Sequence, residues 1–400
     1  MRIACAWELG AGLGHLGRIA PWVDALDARG ASSVLAIRDL RAAADAKSFA
    51  NGVVMQAPVL LHGPHNAGFE ASSYAELLLN AGYGNPATLA TLVLAWRNLL
   101  DATGARALIA EHAPTAILAA RMMGLPVLHL GDGFTIPPPG ALAFGDHAAN
   151  QSQRYTRAAE WVIESVNHVL ESEHQAPIAC LDGLLQADIV VLATFRELDH
   201  YRPCTRDVGY AGHFEFGPQK AFDWAQVPGP RVLAYLKPTE PGFEGAIDLL
   251  GRLPMQTNIY ASGLTRTNTS GSGLGLNWSR HPLPAAAAVA DCDLVICHGG
   301  HGMVCTALLA GKPLLMLPTG HEQLLTARNV EALGAGAWLH PTHDARQIKR
   351  ALVRCIEDGR MQDAAGAFRA RYAKVTSMTT ACLPEYADQL LALARRNARV

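Results

Sequence analysis

The chain of 400 residues has little charge and few aromatic side chains. Charged residues make up 17% of it, aromatic residues 6%, and the formal net charge is −2. A general nucleic-acid-binding protein carries an excess of basic residues, so this balance argues against that class. No apolar run reaches the roughly 18 residues that a membrane-spanning helix needs. We therefore expect contact with a membrane to be peripheral at most.

Patterned cysteines and metal-ligand spacings are also missing. The chain has eight cysteines, and no two of them form a C-x-x-C pair. A chain of this length needs no disulfide bonds to hold its core, so we expect buried free thiols. His298 and His301 lack the cysteine or carboxylate partners of a typical zinc site, and we predict no metal. The first residues lack the apolar segment of a secretory signal, which predicts a cytoplasmic protein.

Apolar residues, by contrast, make up half of the chain, whose length suits two domains that each bury a core. Short apolar runs alternate with amphipathic stretches, as they do in βαβ units. We predict strands at 2–7, 33–37, 107–110, 127–130, 190–193, 232–236 and 257–261. We predict helices at 116–123, 245–253, 285–290, 345–357, 362–373 and 384–397, with another before Gly30. The pattern indicates an α/β protein with domains over 1–215 and 231–380, a linker over 216–230 and a terminal helix over 381–400.

Two segments in the second half carry residues suited to a phosphorylated ligand. Residues 297–302 read Cys-His-Gly-Gly-His-Gly and lie between an apolar run and a predicted helix. The backbone N–H groups and the dipole at such a strand-to-helix turn favour an anion such as a diphosphate. Glu322 and Gln323 follow the next apolar run, at a sheet edge where ligands bind in open α/β folds. Together the segments predict a pocket for a nucleotide sugar.

A different glycine-rich loop follows the first strand. Gly12, Gly14 and Gly17 satisfy the G-x-G-x-x-G pattern of dinucleotide-binding proteins, and Arg38-Asp39 follow the second strand. An NAD(P)-dependent Rossmann oxidoreductase is therefore the alternative. The pattern alone is weak, and a simple dehydrogenase leaves the second glycine-rich turn unexplained. The loop also carries His15, whose imidazole suits a general base near neutral pH.

The stretch 298–336 resembles the donor-binding signature of the GT-B glycosyltransferases of the UDP-glycosyltransferase-like family, with its bacterial macrolide-glycosyltransferase relatives. Residues 12–18 resemble that family's first loop. The resemblance implies a GT-B fold, with two Rossmann-like domains facing each other across a cleft and the last helix packing back on the first domain. It also implies sugar transfer to an acceptor hydroxyl with inversion and without a metal or cofactor. A nucleotide-sugar epimerase or a catalytically degenerate binding protein of the same fold stays open.

The resemblance also implies roles for individual residues. His15 would be the general base, supported by Glu111 where the family has an aspartate, with His112 and Asp132 as further candidates. Arg18 would face the diphosphate or be a solvated helix-start residue. The donor-binding residues carried over by match are Gly14, Lys237, Thr239, His298, Gly299, Gly300, Gly302, Met303, Glu322 and Gln323.

Three departures from the family pattern concern the donor. Met303 stands where the family has Thr or Ser, Thr306 where it has the glutamate that holds the ribose, and Thr326 where it often has Asn. Loss of a charged hydrogen-bond acceptor costs about 1.5–3 kcal/mol. The nucleotide therefore stays open among UDP, dTDP and GDP. The acceptor is expected to be a partly apolar small molecule or lipid with a hydroxyl, held by the segments 57–90 and 132–165.

Overall fold

The protein is described here from a computed structural model, which covers residues 1–43, 52–60, 71–144, 152–202, 206–214, 220–224, 228–238, 243–261, 275–279, 281–340 and 344–397. The chain divides into two compact units. Met1–Phe216 and Met378–Val400 form the N-terminal unit, and Gly217–Ser377 forms the C-terminal unit.

The N-terminal unit is built on a parallel sheet of six strands in the order β3-β2-β1-β4-β5-β6. The strands are β1 (Arg2–Trp7), β2 (Ser32–Ile37), β3 (Val53–Gln56), β4 (Ala105–Glu111), β5 (Val127–Gly131) and β6 (Ile189–Leu192). The strand order reverses between β1 and β4. In a doubly wound sheet, ligands bind at the carboxyl ends of the strands beside such a switch point.

The helices of this unit are α1 (Gly14–Asp27), α2 (Tyr74–Leu78), α3 (Pro86–Ala102), α4 (Pro114–Met122), α5 (Ser152–Ser172), α6 (Leu181–Leu184) and α13 (Val375–Asn397). A π-helical turn, Leu79–Tyr83, extends α2, and 3₁₀ turns lie at Leu40–Ala43 and Arg196–Leu198. The sequence analysis predicted neither α3 nor α5. Asn85 caps α3 by accepting a hydrogen bond from Thr88 N at 3.0 Å, and Pro86 occupies its first turn. These two start signals were present in the sequence.

The core of the N-terminal unit lies around β1, α1 and the terminal helix α13. The indole of Trp22 is buried, with its ring centre 5.9 Å from Phe214 and 6.5 Å from Tyr386. Leu390 and Leu391 of α13 are buried in the same cluster. Full burial of one such leucine contributes roughly 1.5–3 kcal/mol. The end of the chain is therefore part of the core that holds α1 on its sheet.

The C-terminal unit repeats the same sheet order, β12-β11-β10-β7-β8-β9. Its strands are β7 (Arg231–Leu236), β8 (Gln256–Ala261), β9 (Leu276–Ser279), β10 (Leu294–Cys297), β11 (Leu314–Met316) and β12 (Gly336–Trp338). Its helices are α7 (Phe243–Arg252), α8 (Ala285–Ala290), α9 (His301–Leu309), α10 (His321–Ala332), α11 (Ala345–Glu357) and α12 (Gly359–Tyr372). The predicted strands and helices are confirmed, with ends that shift by a few residues except at α13, which begins nine residues earlier, at Val375 instead of 384.

The expectation of buried cysteines is right for most of those described. Five free thiols are buried: Cys5, Cys292, Cys297, Cys305 and Cys355. Cys180 is exposed, which corrects the prediction, because it immediately precedes the short surface helix α6. Within the described ranges no helix is both long and apolar enough to cross a membrane.

Burial of His129 in the middle of β5 predicts a loss of stability in acid. Burial lowers the pKa of this imidazole to about 4, with the Leu185 backbone carbonyl opposing the shift. The unfolded chain takes up the proton near pH 6.5, so the free energy of unfolding falls as the pH drops from about 6.5 to 4. In urea titrations, His129→Leu should lose about 2 kcal/mol less than the unmodified protein between pH 7 and pH 5. The exposed His168→Leu is the control, and an equal fall in all three proteins would contradict the assignment.

Candidate functional site

The site in the N-terminal unit begins with the register of two neighbouring strands. Trp7, at the end of β1, pairs with Glu111, at the end of β4. The chain leaves β1 through a glycine-rich loop and enters α1, whose first turn carries His15. Arg18 lies three residues further on, so both side chains occupy the same helix face. The fold thus brings an imidazole and a guanidinium over one carboxylate.

The two α1 side chains hold both oxygens of Glu111. His15 Nδ1 lies 2.6 Å from Glu111 Oε2, and Arg18 Nε donates to Glu111 Oε1 at 2.8 Å. Arg18 Nη1 also donates to Asp132 Oδ2 at 2.9 Å. Burial alone would raise the pKa of Glu111, but the charges of His15 and Arg18 and the hydrogen bond from His15 outweigh it and lower the pKa to about 2. Glu111 is therefore an ionised carboxylate that fixes the imidazole by one ring nitrogen.

The other ring nitrogen of His15 is directed towards Gly10. A Cβ atom on Gly10 would stand 2.4 Å from His15 Nε2, so only glycine leaves room for this ring. Gly10 also has a φ of +83°, which favours glycine. On the ring face, Trp7 stacks at 5.1 Å between centres with 18° between planes. These contacts set the imidazole plane, and the sequence analysis missed both Gly10 and Trp7.

Arg18 corrects the sequence analysis, which expected it to face a diphosphate or to be solvated. The residue is 7% exposed and bound to two buried carboxylates. Its position in the helix did not reveal that β4 and β5 both end in acids beneath it. Asp132 is held in turn by the backbone N–H groups of Phe134 and Thr135, at 3.1 and 3.2 Å. Asp132 is therefore the second anchor of Arg18.

A second buried acid, Glu8, lies one residue after β1. Its Oε2 accepts from Thr115 N at 2.9 Å, and the Thr115 hydroxyl contacts Tyr83 Oη at 2.8 Å. Burial raises the pKa of Glu8 to about 7, although the hydrogen bonds from Thr115 oppose the shift. The sequence analysis also missed this residue. An acid directly after a strand of the central pair was the available signal.

His112 follows Glu111 with an unusual backbone. Its φ is +45°, in the left-handed region, and its carbonyl accepts from Leu9 N at 2.9 Å. The ring is 3% exposed and lies 5.8 Å from the His15 ring. Burial, with the neighbouring charge of His15, lowers the pKa of His112 to about 3. His112 is therefore a neutral imidazole beside His15.

In the C-terminal unit, the turn after β10 brings the two predicted donor segments together. Gly299 has a φ of +84°, and a Cβ atom there would lie 3.0 Å from the Gln323 carbonyl oxygen. Gly300 is the N-cap of α9, and a Cβ atom there would lie 2.8 Å from His298 Nε2. Since a glycine N-cap carries no side chain to cover the helix, the amide groups of Gly302 and Met303 in the first turn face outwards from its end.

Lys237 and His298 lie at the same edge of this sheet. The register pairs Cys297 with Tyr235, so the residues that follow β10 and β7 leave the sheet side by side. Burial lowers the pKa of His298 to about 4, and the charge of Lys237 adds to this effect. His298 is therefore neutral and Lys237 supplies the positive charge. Thr239, predicted with Lys237, lies outside the described residues.

The side chain of Gln323 has a role in the fold that the sequence analysis did not anticipate. Its Oε1 accepts from Thr319 N at 2.9 Å and from Gly320 N at 3.3 Å, which closes the start of α10. Glu322 is half-buried in the same helical turn. Gly14, the remaining predicted residue, is the exposed first residue of α1 in the N-terminal unit. The catalytic and donor-binding roles of all these residues stay predictions.

Replacing Arg18 with leucine should destabilise the N-terminal unit strongly. Glu111 and Asp132 would lose their shared cation while staying buried, so we expect the free energy of unfolding to fall by about 3–5 kcal/mol in urea titrations at pH 7. Arg252→Leu is the control, because its 2.7 Å ion pair with Asp248 has side chains that are 74% and 61% exposed. That loss should stay within about 1 kcal/mol. Equal losses in the two variants would show that burial of the charges is not decisive.

Comparisons with known proteins agree with this architecture. Residues 279–382 match the family described as Erythromycin biosynthesis protein CIII-like, C-terminal domain. The tylactone mycaminosyltransferase of Streptomyces fradiae is 32% identical over 118 residues, which cover 29% of this chain and 25% of that protein. The chain thus matches about a quarter of that relative's length.

Two solved structures cover nearly the whole chain. The glycosyltransferase VinC, in complex with dTDP, superposes with a TM-score of 0.67 at 15% identity and covers 99% of this chain and 100% of its own. The spinosyn rhamnosyltransferase SpnG, complexed with spinosyn aglycone, superposes with a TM-score of 0.65 at 18% identity, over 96% and 99% of the two chains. The predicted fold class is confirmed as GT-B. The resemblance drawn from the sequence is confirmed as well: residues 279–382 carry an EryCIII-like C-terminal domain, and the chain is a GT-B relative of the UDP-glycosyltransferase-like, macrolide-type glycosyltransferases.

Proposed function

We propose that the chain transfers a sugar from a nucleoside-diphosphate sugar to an acceptor hydroxyl, with inversion at the anomeric carbon and with His15 as the general base. The observation that carries the proposal is the buried contact of 2.6 Å between His15 Nδ1 and Glu111 Oε2. A carboxylate at this nitrogen holds the ring in one tautomer, whose Nε2 is the proton acceptor.

The transfer step follows from this arrangement. His15 Nε2 takes the proton of the acceptor hydroxyl while the hydroxyl oxygen forms a bond to the anomeric carbon. The bond from that carbon to the diphosphate oxygen breaks, and the nucleoside diphosphate leaves with the electron pair. The imidazolium that forms is stabilised by the ionised Glu111, as the carboxylate is in other histidine–acid pairs. The contact at 2.6 Å supports glutamate in this role, in place of the family's aspartate.

The leaving diphosphate is the proposed ligand of the turn between β10 and α9. The first turn of α9 offers amide groups and the positive end of the helix dipole to an anion. Lys237 adds a full positive charge at the same sheet edge, and neutral His298 adds a hydrogen-bonding group. We propose that these groups stabilise the charge that develops on the diphosphate. They would do so without a metal ion.

The relatives support the proposed classes of substrate. VinC was solved with dTDP and SpnG with a spinosyn aglycone. By analogy we propose a dTDP-, UDP- or GDP-linked sugar as donor and a hydroxylated, partly apolar small molecule or lipid as acceptor. The matched relatives reported above are glycosyltransferases, so the oxidoreductase that uses Gly12, Gly14 and Gly17 is not favoured. Thermal shifts with each nucleotide test this directly, and stabilisation by NAD(P) alone would reject the transferase.

His15→Ala should abolish most of the transfer activity. Loss of the general base removes a contribution of about 10²–10⁴-fold, so kcat should fall by that factor while donor binding is kept. Mass spectrometry of an acceptor library incubated with dTDP-, UDP- and GDP-glucose first identifies a reaction, and kcat is then measured for both proteins. His168→Ala, on the exposed face of α5, is the matched control. Unchanged turnover in His15→Ala would remove His15 as the base.

Thr306 sets an expectation for the nucleotide. Its hydroxyl donates to the Gly302 carbonyl at 3.0 Å, so it caps no charge and offers no carboxylate to a ribose. Thr306→Glu restores the acid that stands at this position in the resembled family. We expect it to tighten UDP binding about ten- to hundredfold relative to 2′-deoxy-UDP, because a carboxylate accepts strongly from the ribose hydroxyl. Isothermal titration with the two nucleotides checks this. Equal gains for both would place the new acid away from the 2′-hydroxyl.

A further inference from the structure

His112 is held in a conformation that the chain alone does not favour. A φ of +45° is uncommon for a residue with a β-carbon and recurs at sites where the surrounding structure enforces it. Two bonds enforce it here. Leu9 N donates to the His112 carbonyl at 2.9 Å, and three residues along, Thr115 N donates to Glu8 at 2.9 Å. The backbone on both sides of His112 is therefore tied to the segment that follows β1.

The ring of His112 is buried without a hydrogen-bonding partner. The residue is 3% exposed, and neither Nδ1 nor Nε2 has a hydrogen-bond partner among the described residues. Burying a polar group without a partner is unfavourable, and most such groups in native proteins are satisfied. A strained residue with an unsatisfied side chain therefore points to a group that arrives from outside the chain.

The nitrogens of two histidines converge on one place. His15 Nε2 lies 2.4 Å, and His112 Nδ1 lies 3.3 Å, from the point where a Cβ atom of Gly10 would stand. Gly10 is exposed, so this place opens to the surface. The pair differs in its bonds: His15 is fixed by Glu111, whereas His112 has no such carboxylate contact. Both nitrogens are therefore within reach of a single small polar group at Gly10.

We propose, on the basis of the proposed function, that His112 binds the acceptor by a hydrogen bond to an oxygen atom next to the hydroxyl that His15 deprotonates. The acceptor class is then a molecule with a second hydroxyl or a carbonyl on the carbon beside the reacting one. The neutral ring suits such an oxygen, because it offers one donor and one acceptor nitrogen. His112 positions the acceptor and takes no proton from it.

Two substitutions separate this role from packing. His112→Gly removes the ring and accepts the positive φ, so the fold should be kept. His112→Asn tolerates the same backbone and keeps a donor and an acceptor on its side chain. Acceptor and donor KM, kcat and melting temperature are measured with dTDP-, UDP- or GDP-glucose, whichever the unmodified chain uses. The acceptors are 1,2-dihydroxyanthraquinone and 2-hydroxyanthraquinone, a pair that differs by the neighbouring oxygen, within a panel of hydroxylated macrolactones.

We expect His112→Gly to raise the acceptor KM at least about tenfold, the order of one lost hydrogen bond, with the donor KM and the melting temperature kept. Asparagine should restore most of the loss, and the preference for the acceptor with the second oxygen should disappear in the glycine variant. An unchanged acceptor KM overturns the role of His112. So does a parallel loss of acceptor binding, donor binding and melting temperature, which indicates a structural role. If the unmodified chain transfers no sugar to any acceptor, the proposed function fails and the role fails with it.

Discussion

The buried cation of Arg18 is the constraint on which the N-terminal site depends. It joins Glu111, at the end of β4, to Asp132, just after β5, and so bridges the carboxyl ends of two strands to one turn of α1. Without that cation, two carboxylates would face each other in a buried environment, which is strongly unfavourable. Because Arg18 occupies one oxygen of Glu111, the other is left for His15. The orientation of the imidazole is therefore a consequence of charge pairing around it.

Much of the architecture could be predicted from the sequence, because parallel strands buried on both faces read as short apolar runs. The strands at 2–7 and 127–131 show this directly. The glycine-rich turns at 298–302 were also visible, since glycine marks the places where a helix begins close to a strand. The long helices α3 and α5 were missed although Asn85-Pro86 announced the first. Their polar faces weakened the apolar period on which the assignments relied.

The site was predicted less completely, for a physical reason. Residues that meet only through strand register, such as Trp7 and Glu111, give no local signal in the sequence. Family resemblance supplied His15 and Glu111, but it gave no indication that Arg18 lies between two acids or that Gly10 makes room for the ring. The same holds for Gln323, whose amide closes the start of α10. A residue's partners decide its chemistry, and partners far apart in sequence are found in three dimensions.

Both sheets have the strand order of a doubly wound fold, so each unit has a switch-point edge of its own. The hydrogen bonds that shape one edge, around Glu111, come from residues of the N-terminal unit, and those around Gln323 come from the C-terminal unit. Loops at one edge can therefore change in length or composition while the bonds at the other stay intact. A chain built in this way can diversify one substrate class at a time.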